Sequence, residues 1–178
     1  VKVFLDACVL YPTVLREILI GVAGRGLYQP LWSPRVLEEW ARAAARLGPE
    51  GEQIARAEVA LLRDTWPGAE VQPRAGDLSR LHLPDANDVH VLAGAIAGGA
   101  DLLCTFNAKD FPRHTLAAEG VERVDPDQLL ARLMPSDDIA EVVAAVHATA
   151  ERLSGEGMPL RALLKRARLP KLGKALTR

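Results

Sequence analysis

LPDANDVHVLAGAIAGGADLLCTFNAKDFP, residues 83–112, is the stretch that decides the fold class. Leu83-Pro84 is a turn signal, and Asp85 can cap a helix. Val89, Leu92, Ala93 and Ile96 then fall at i, i+3, i+4 and i+7, the apolar stripe of a packed helix. Gly98-Gly99 stops it, because glycine takes the left-handed C′ conformation at no steric cost. Leu102, Leu103 and Cys104 form an apolar run too short for a helix, which reads as a buried strand. Thr105, Asn107 and Asp110 follow at that strand's C-terminal end. Asp85 and Asp88 also have a plain structural reading, since acidic residues three apart in a first helical turn resemble a capping box and favour the macrodipole.

The chain opens VKVFLDACVLYP. Val1, Val3, Phe4 and Leu5 suit a strand buried on both faces, and Asp6 stands where open α/β sheets place ligands, beyond the strand's end. A capping role for Asp6 is weakened because Ala7-Cys8-Val9-Leu10 is not an evident helix start. A helix is expected over Val14, Leu15, Ile18, Leu19 and Val22, closed by Gly24 and Gly26. Leu27–Trp32 is a short apolar piece, and Ser33-Pro34 is a strong helix start carrying Val36, Leu37, Trp40 and Ala44 on one side. Glu39 borders that stripe and needs a partner, whereas Glu38 reads as solvated. Residues 50–66 predict another amphipathic helix through Ile54, Val59, Leu61, Leu62 and Trp66, and Glu70-Val71-Gln72 a short edge strand. The order of elements gives an α/β fold with a mostly parallel sheet flanked by helices.

Four features in this order, FLDACVLYP, SPRVLEEW, DVHVLAGAIA and TFNAKDF, together resemble the PIN domain, and within it the VapC-type ribonuclease toxins of toxin–antitoxin pairs. The resemblance covers roughly residues 1–125 and implies a metal-dependent endoribonuclease acting on structured RNA. It implies Asp6, Glu39 and Asp88 as core acidic residues, with Asn107 and Asp110 at the fourth position. Asp88 fits better than Asp85, because the pattern Asp-x-x-x-x-Ala-x-Ala is met by Asp88, Ala93 and Ala95. Asn107 departs from the family, where many members carry Asp, leaving Asp110 as the charged contributor. Asp85, Thr105 and Asn107 are then expected to act from the outer shell or to orient water.

The residue types make chemical sense on their own. Cleaving a phosphodiester requires an activated oxygen and neutralisation of an anionic transition state, both of which divalent cations supply. Oxygen-only ligands select hard cations, Mg²⁺ or Mn²⁺. No cysteine–histidine cluster has zinc spacing, and no glycine pattern makes a P-loop. Cys8 after Asp6 argues against an Asp-x-Asp phosphatase nucleophile. Cys8 and Cys104 read as small buried hydrophobes. His82, His90, His114 and His147 read as surface or satisfied histidines. A catalytically silent PIN-like scaffold that binds RNA or protein is the alternative from another class.

Beyond Val124, Asp125-Pro126 starts a helix to about Met134, Ser136 starts one ended by Gly155, and Leu160–Ala167 outline another. Residues 126–178 are therefore expected as a helical appendage to the α/β part, 1–125. The 178 residues, 49% hydrophobic, can bury a sizeable core. No long apolar run or charged leader supports a membrane span or signal peptide, and two unpaired cysteines suit a reducing cytoplasm. Charge is uneven: residues 161–178 carry seven Lys/Arg and no acid, leaving the other 160 at net −8. Lys165, Arg166, Arg168 and Lys171 surround leucines and read either as a solvated helical face or as RNA phosphate contacts. An antitoxin protein and a homodimer are further partners consistent with the toxin resemblance.

Overall fold

The computed structural model describes residues 1–178, which divide into two compact units, residues 1–11 with 29–124 and residues 12–28 with 125–178. The first unit is built on four parallel strands, β1 (Lys2–Leu5), β2 (Gln29–Leu31), β3 (Leu102–Cys104) and β4 (Glu122–Val124), in the order β2-β1-β3-β4. Parallel pairing requires crossover connections, and helices fill them. Phe4 pairs with Leu103 and Leu5 with Cys104 in register, and all four side chains are fully buried. From β1 the chain moves to one side to make β2, then returns to the other side of β1 to make β3. The crevice beyond the C-terminal ends of β1 and β3 is therefore a topological switch point, where open parallel sheets bind ligands.

The helices of this unit are α1 (Ala7–Leu10), α3 (Pro34–Ala44), α4 (Pro49–Thr65), α5 (Ala75–Arg80), α6 (Val89–Ala97) and α7 (Arg113–Ala117). α6 lies against the sheet so closely that His90 to Ala95 are all buried. Gly94 permits this approach, since a Cβ there would stand 2.8 Å from the Phe4 ring.

Several local expectations are corrected. Ala7–Leu10 is a helix after all: Asp6 caps it, its Oδ1 accepting from the Ala7 N–H at 2.8 Å. Residues 70–72 make no strand; Glu70 forms a single parallel bridge to Trp32. On α4, Ile54 and Leu61 face outward, 60% and 66% exposed, so only part of the expected apolar set is core. β4 was not foreseen, being three residues long with only Val124 fully buried.

The second unit contains α2 (Thr13–Gly24), α8 (Pro126–Leu133), α9 (Asp137–Ser154), α10 (Leu160–Arg166) and α11 (Pro170–Leu176). The segment 12–28 thus joins the C-terminal helices, with α2 packed along α9 and a Cβ at Gly21 leaving no room for Val142. Asp125 and Gln128 close a reciprocal capping box on α8. Gly155, at φ 72°, ends α9 in the left-handed conformation. The C-terminal stretch is two helices rather than one and its extension, because Arg168 adopts φ 64° and Pro170 restarts the helix. Asp127, buried on α8, accepts the backbone N–H groups of Lys171 and Leu172 at 2.9 and 3.1 Å, capping α11. Leu163, Leu164, Leu169 and Leu172 are buried, while Lys165, Arg166, Arg168 and Lys171 are exposed. No helix is long and apolar enough to cross a membrane.

Candidate active site

Every acidic residue singled out in the sequence comes from the first unit, and the sheet brings them together from distant positions. Asp6 leaves the end of β1, and the N–H of Asp6 donates to the Cys104 carbonyl, continuing the β1–β3 ladder one residue into the crevice. Thr105 leaves the end of β3, and its hydroxyl donates to Asp6 Oδ2 at 2.8 Å. Both carboxylate oxygens of Asp6 are thus engaged, one as the cap of α1 and one by Thr105. Burial, followed by the Glu39 charge, raises the Asp6 carboxyl above its usual range, and the Thr105 and Ala7 hydrogen bonds pull against that rise.

Asp88 ends a single 3₁₀ turn, Ala86–Asp88, that leads into α6. The turn is capped by Asp85, whose Oδ1 accepts from the Asn87 N–H at 2.9 Å. A reciprocal capping box is not formed, since the only link from Asp88 back to Asp85 is its backbone N–H to the Asp85 carbonyl. Asp88 therefore does not spend its carboxylate on the helix. Its Oδ2 accepts from Asn107 Nδ2 at 3.3 Å. Desolvation pushes the Asp88 carboxyl up to about 6, and the charges of Asp85, Asp6, Asp110 and Glu39 add to the rise. Five acidic groups are gathered within electrostatic reach of one another.

Three of them are closer still. Asp85, Asp88 and Asp110 can each offer an oxygen such that all three lie within 4.8 Å of one another. The structure thereby places Asp85, expected in the outer shell, beside Asp88 and Asp110, while Asp6 and Glu39 stand outside this trio. The loop carrying Asp110 is held from both sides. Asn107 accepts the Asp110 N–H at 3.4 Å, Thr105 Oγ1 accepts the Asn107 N–H at 3.0 Å, and Arg123 of β4 donates to the carbonyls of Ala108 and Phe111, both at 2.8 Å. An amide at 107 instead of a carboxylate spares the crevice another negative charge and lets the side chain donate to Asp88.

Glu39 reaches the crevice from α3, whose start is fixed by Ser33 accepting the Val36 N–H at 3.2 Å and by Pro34 in the first turn. Its partners are Arg35 at 3.7 Å and His90 at 2.6 Å. Glu38 is not simply solvated: Arg56 and Arg42 bind it and hold its carboxyl down to about 2. That pairing turns Glu38 away from the acidic group and leaves Glu39 as the carboxylate available there.

Cys8 and His90 are the neighbours that sequence reasoning did not place. Cys8 is half-buried, 3.6 Å from Asp6 Oδ2 and 3.5 Å from Thr105 Oγ1, and its sulfur accepts the Phe106 N–H at 3.4 Å. Burial and Asp6 push its thiol up to about 11, so it is a neutral filler and no nucleophile. His90 was expected at the surface or satisfied; it is buried with neither ring nitrogen in a hydrogen bond. The available signal was its place, two residues after Asp88 in a helix otherwise apolar.

The family model of the PIN domain matches residues 2–109, more than half of the chain and the whole of this acidic crevice except Asp110. The chain belongs to the PIN domain family. No curated protein and no solved structure matches it. PIN domains are generally nucleases, hydrolases that typically use divalent metals, and the cluster here suits that chemistry. An all-oxygen, multiply anionic donor set crowded around Asp88, whose carboxyl it helps to raise, is the kind that hard cations bind, because a cation removes the repulsion.

Proposed function

We propose that this PIN domain is a Mg²⁺- or Mn²⁺-dependent endoribonuclease, acting in the cytoplasm as the toxin of a toxin–antitoxin pair. The observation that carries the reading is the convergence on Asp88 of Asp6, Glu39, Asp110 and Asp85 at the β1/β3 switch point. Asp6, Glu39, Asp88 and Asp110 are the residues assigned to hold the cation, with Asp85 beside Asp88 and Asp110. A bound cation supplies charge neutralisation and activation of the attacking oxygen. The chain's own part is positional. Thr105 fixes one oxygen of Asp6, Asn107 fixes one of Asp88, and Arg123 holds the loop that presents Asp110. Two free cysteines accord with a reducing compartment.

The basic C-terminal helices are assigned to RNA phosphates. Lys165, Arg166, Arg168 and Lys171 are all exposed, on a protein whose other 160 residues carry net −8. Reversing the four to Glu is expected to weaken RNA binding and flatten its logarithmic salt dependence by up to about 3, at roughly 0.7 per lost single-strand phosphate contact. An unchanged slope would remove the tail from RNA binding. The central test is cleavage of structured RNA by the purified chain with Mn²⁺, with chelator, and with Asp88→Asn. Cleavage that needs both the cation and Asp88 supports the nuclease reading. A chain that binds RNA but neither cleaves it nor binds Mn²⁺ is the silent scaffold instead. An antitoxin is expected to abolish the cleavage when added.

A further inference from the structure

We propose that His90 is a positioning residue for Glu39, holding its carboxylate toward the acidic cluster so that the cluster binds a divalent cation tightly. The inference rests on the metal-dependent reading of the site and adds a residue that does not itself touch the cation. His90 sits on α6 two residues after Asp88 and is only 3% exposed. Its Nε2 is 2.6 Å from Glu39 Oε1, closer than Arg35, which approaches the same oxygen at 3.7 Å from the solvent side.

The imidazole has no other task. Nδ1 has no partner, and Nε2 has only Glu39 Oε1 near it. A buried polar ring left without hydrogen bonds destabilises the fold. A purely structural position in a helix buried from His90 to Ala95 would be filled at lower cost by an apolar side chain. A lone pair facing a carboxylate oxygen at 2.6 Å would be repelled, so Nε2 carries the proton and Oε1 is the oxygen it restrains. Oε2 is left for the cluster, where the Glu39 charge already acts on both Asp6 and Asp88. Groups that orient a metal-binding side chain typically change metal affinity 10- to 100-fold when removed.

The test is a double-mutant cycle on the full chain, read by Mn²⁺ titration calorimetry after chelator treatment. His90→Phe and Glu39→Gln are each expected to weaken Mn²⁺ binding about 10-fold or more, and the double variant no further than the weaker of the two. His90→Gln, which keeps a donor, is expected to recover part of the loss, and circular dichroism reports whether each variant is folded. Mn²⁺ binding unchanged in a folded His90→Phe would overturn the proposal while leaving the metal site standing. So would a His90→Phe loss that persists undiminished beside Glu39→Gln. If His90→Phe does not fold, His90→Leu, which also lacks a donor, and its double with Glu39→Gln decide by the same criterion. A wild-type chain that binds no Mn²⁺ would overturn the metal-dependent reading itself.

Discussion

Asp88→Asn is expected to stabilise the protein in chelator at neutral and alkaline pH, although it removes a residue assigned to the site. The wild-type carboxyl is raised from 3.8 to about 6, first by desolvation and then by Asp85, Asp6, Asp110 and Glu39. A rise of about two pKa units corresponds to about 3 kcal/mol in a dry site. Asp88 is only partly buried, so solvent screening reduces this to about 1 kcal/mol. The sign follows from linkage. Because the folded-state pKa is the higher one, the folded chain holds the proton more tightly, and that advantage is complete below about pH 4 and lost as pH rises through about 6. Above that range the ionised carboxylate penalises the fold, and asparagine removes the penalty while keeping an oxygen for Asn107. In chelator the variant should melt about 2–4 °C higher than wild type at about pH 8, with the gain fading toward about pH 4. With saturating Mn²⁺ the order should invert, since only the wild type gains binding energy. Differential scanning fluorimetry over this pH range, with chelator and with Mn²⁺, measures both effects. An Asp88→Asn variant that is equally destabilised at every pH, with or without Mn²⁺, would refute the reasoning, because a structural carboxylate behaves that way.

Gly94→Ala is expected to destabilise by about 1–3 kcal/mol in urea denaturation, despite alanine's better helix propensity, because the new methyl group would meet the buried Phe4 ring at 2.8 Å. A neutral or stabilising result would show that α6 can move away from β1. Asp127→Ala should cost about 1–3 kcal/mol by unpairing the N–H groups of Lys171 and Leu172. Hydrogen exchange over 170–176 reads it directly, and undiminished protection there would rule out the cap.

Much of the first unit was legible because its signals are local. The apolar runs of β1 and β3, the Ser33-Pro34 helix start and the glycines after α6 each act within a few residues. Asp6, Asp88 and Asp110 were legible because each stands near the end of one of these elements, and Glu39 because it borders the apolar stripe of α3. What the sequence could not convey was which carboxylate meets which. Asp85 and Asp110 are 25 positions apart, yet lie together with Asp88 because α6 packs against β3. The Cys8 contacts depend on the pairing of β1 with β3, and the burial of His90 on α6 lying against the sheet. The outward turn of Ile54 and Leu61 was missed because periodicity locates a helical stripe but not its partner. The separate helix α11 beyond Arg168 was missed because a non-glycine residue at positive φ has little local signature.

The repulsion gathered in the crevice is sustained by the part of the fold least able to yield. Asp6 and Thr105 are 99 residues apart, and their hydrogen bond exists only because Leu5 and Cys104 are paired in the sheet directly before them. Leu5, Leu103 and Cys104 are fully buried, so separating the carboxylates by moving β1 from β3 would expose that apolar core. At roughly 1.5–3 kcal/mol for each large apolar side chain uncovered, that movement costs more than the partly screened repulsion it would relieve. The acidic residues are therefore kept close with no counter-charge beyond Arg35 beside Glu39, and the relief available is to take up a proton or a cation. Thr105 and Asn107 reinforce this confinement, because each satisfies one carboxylate oxygen without neutralising its charge. A site assembled this way would bind the proposed cation with little reorganisation, since the fold already holds the carboxylates together.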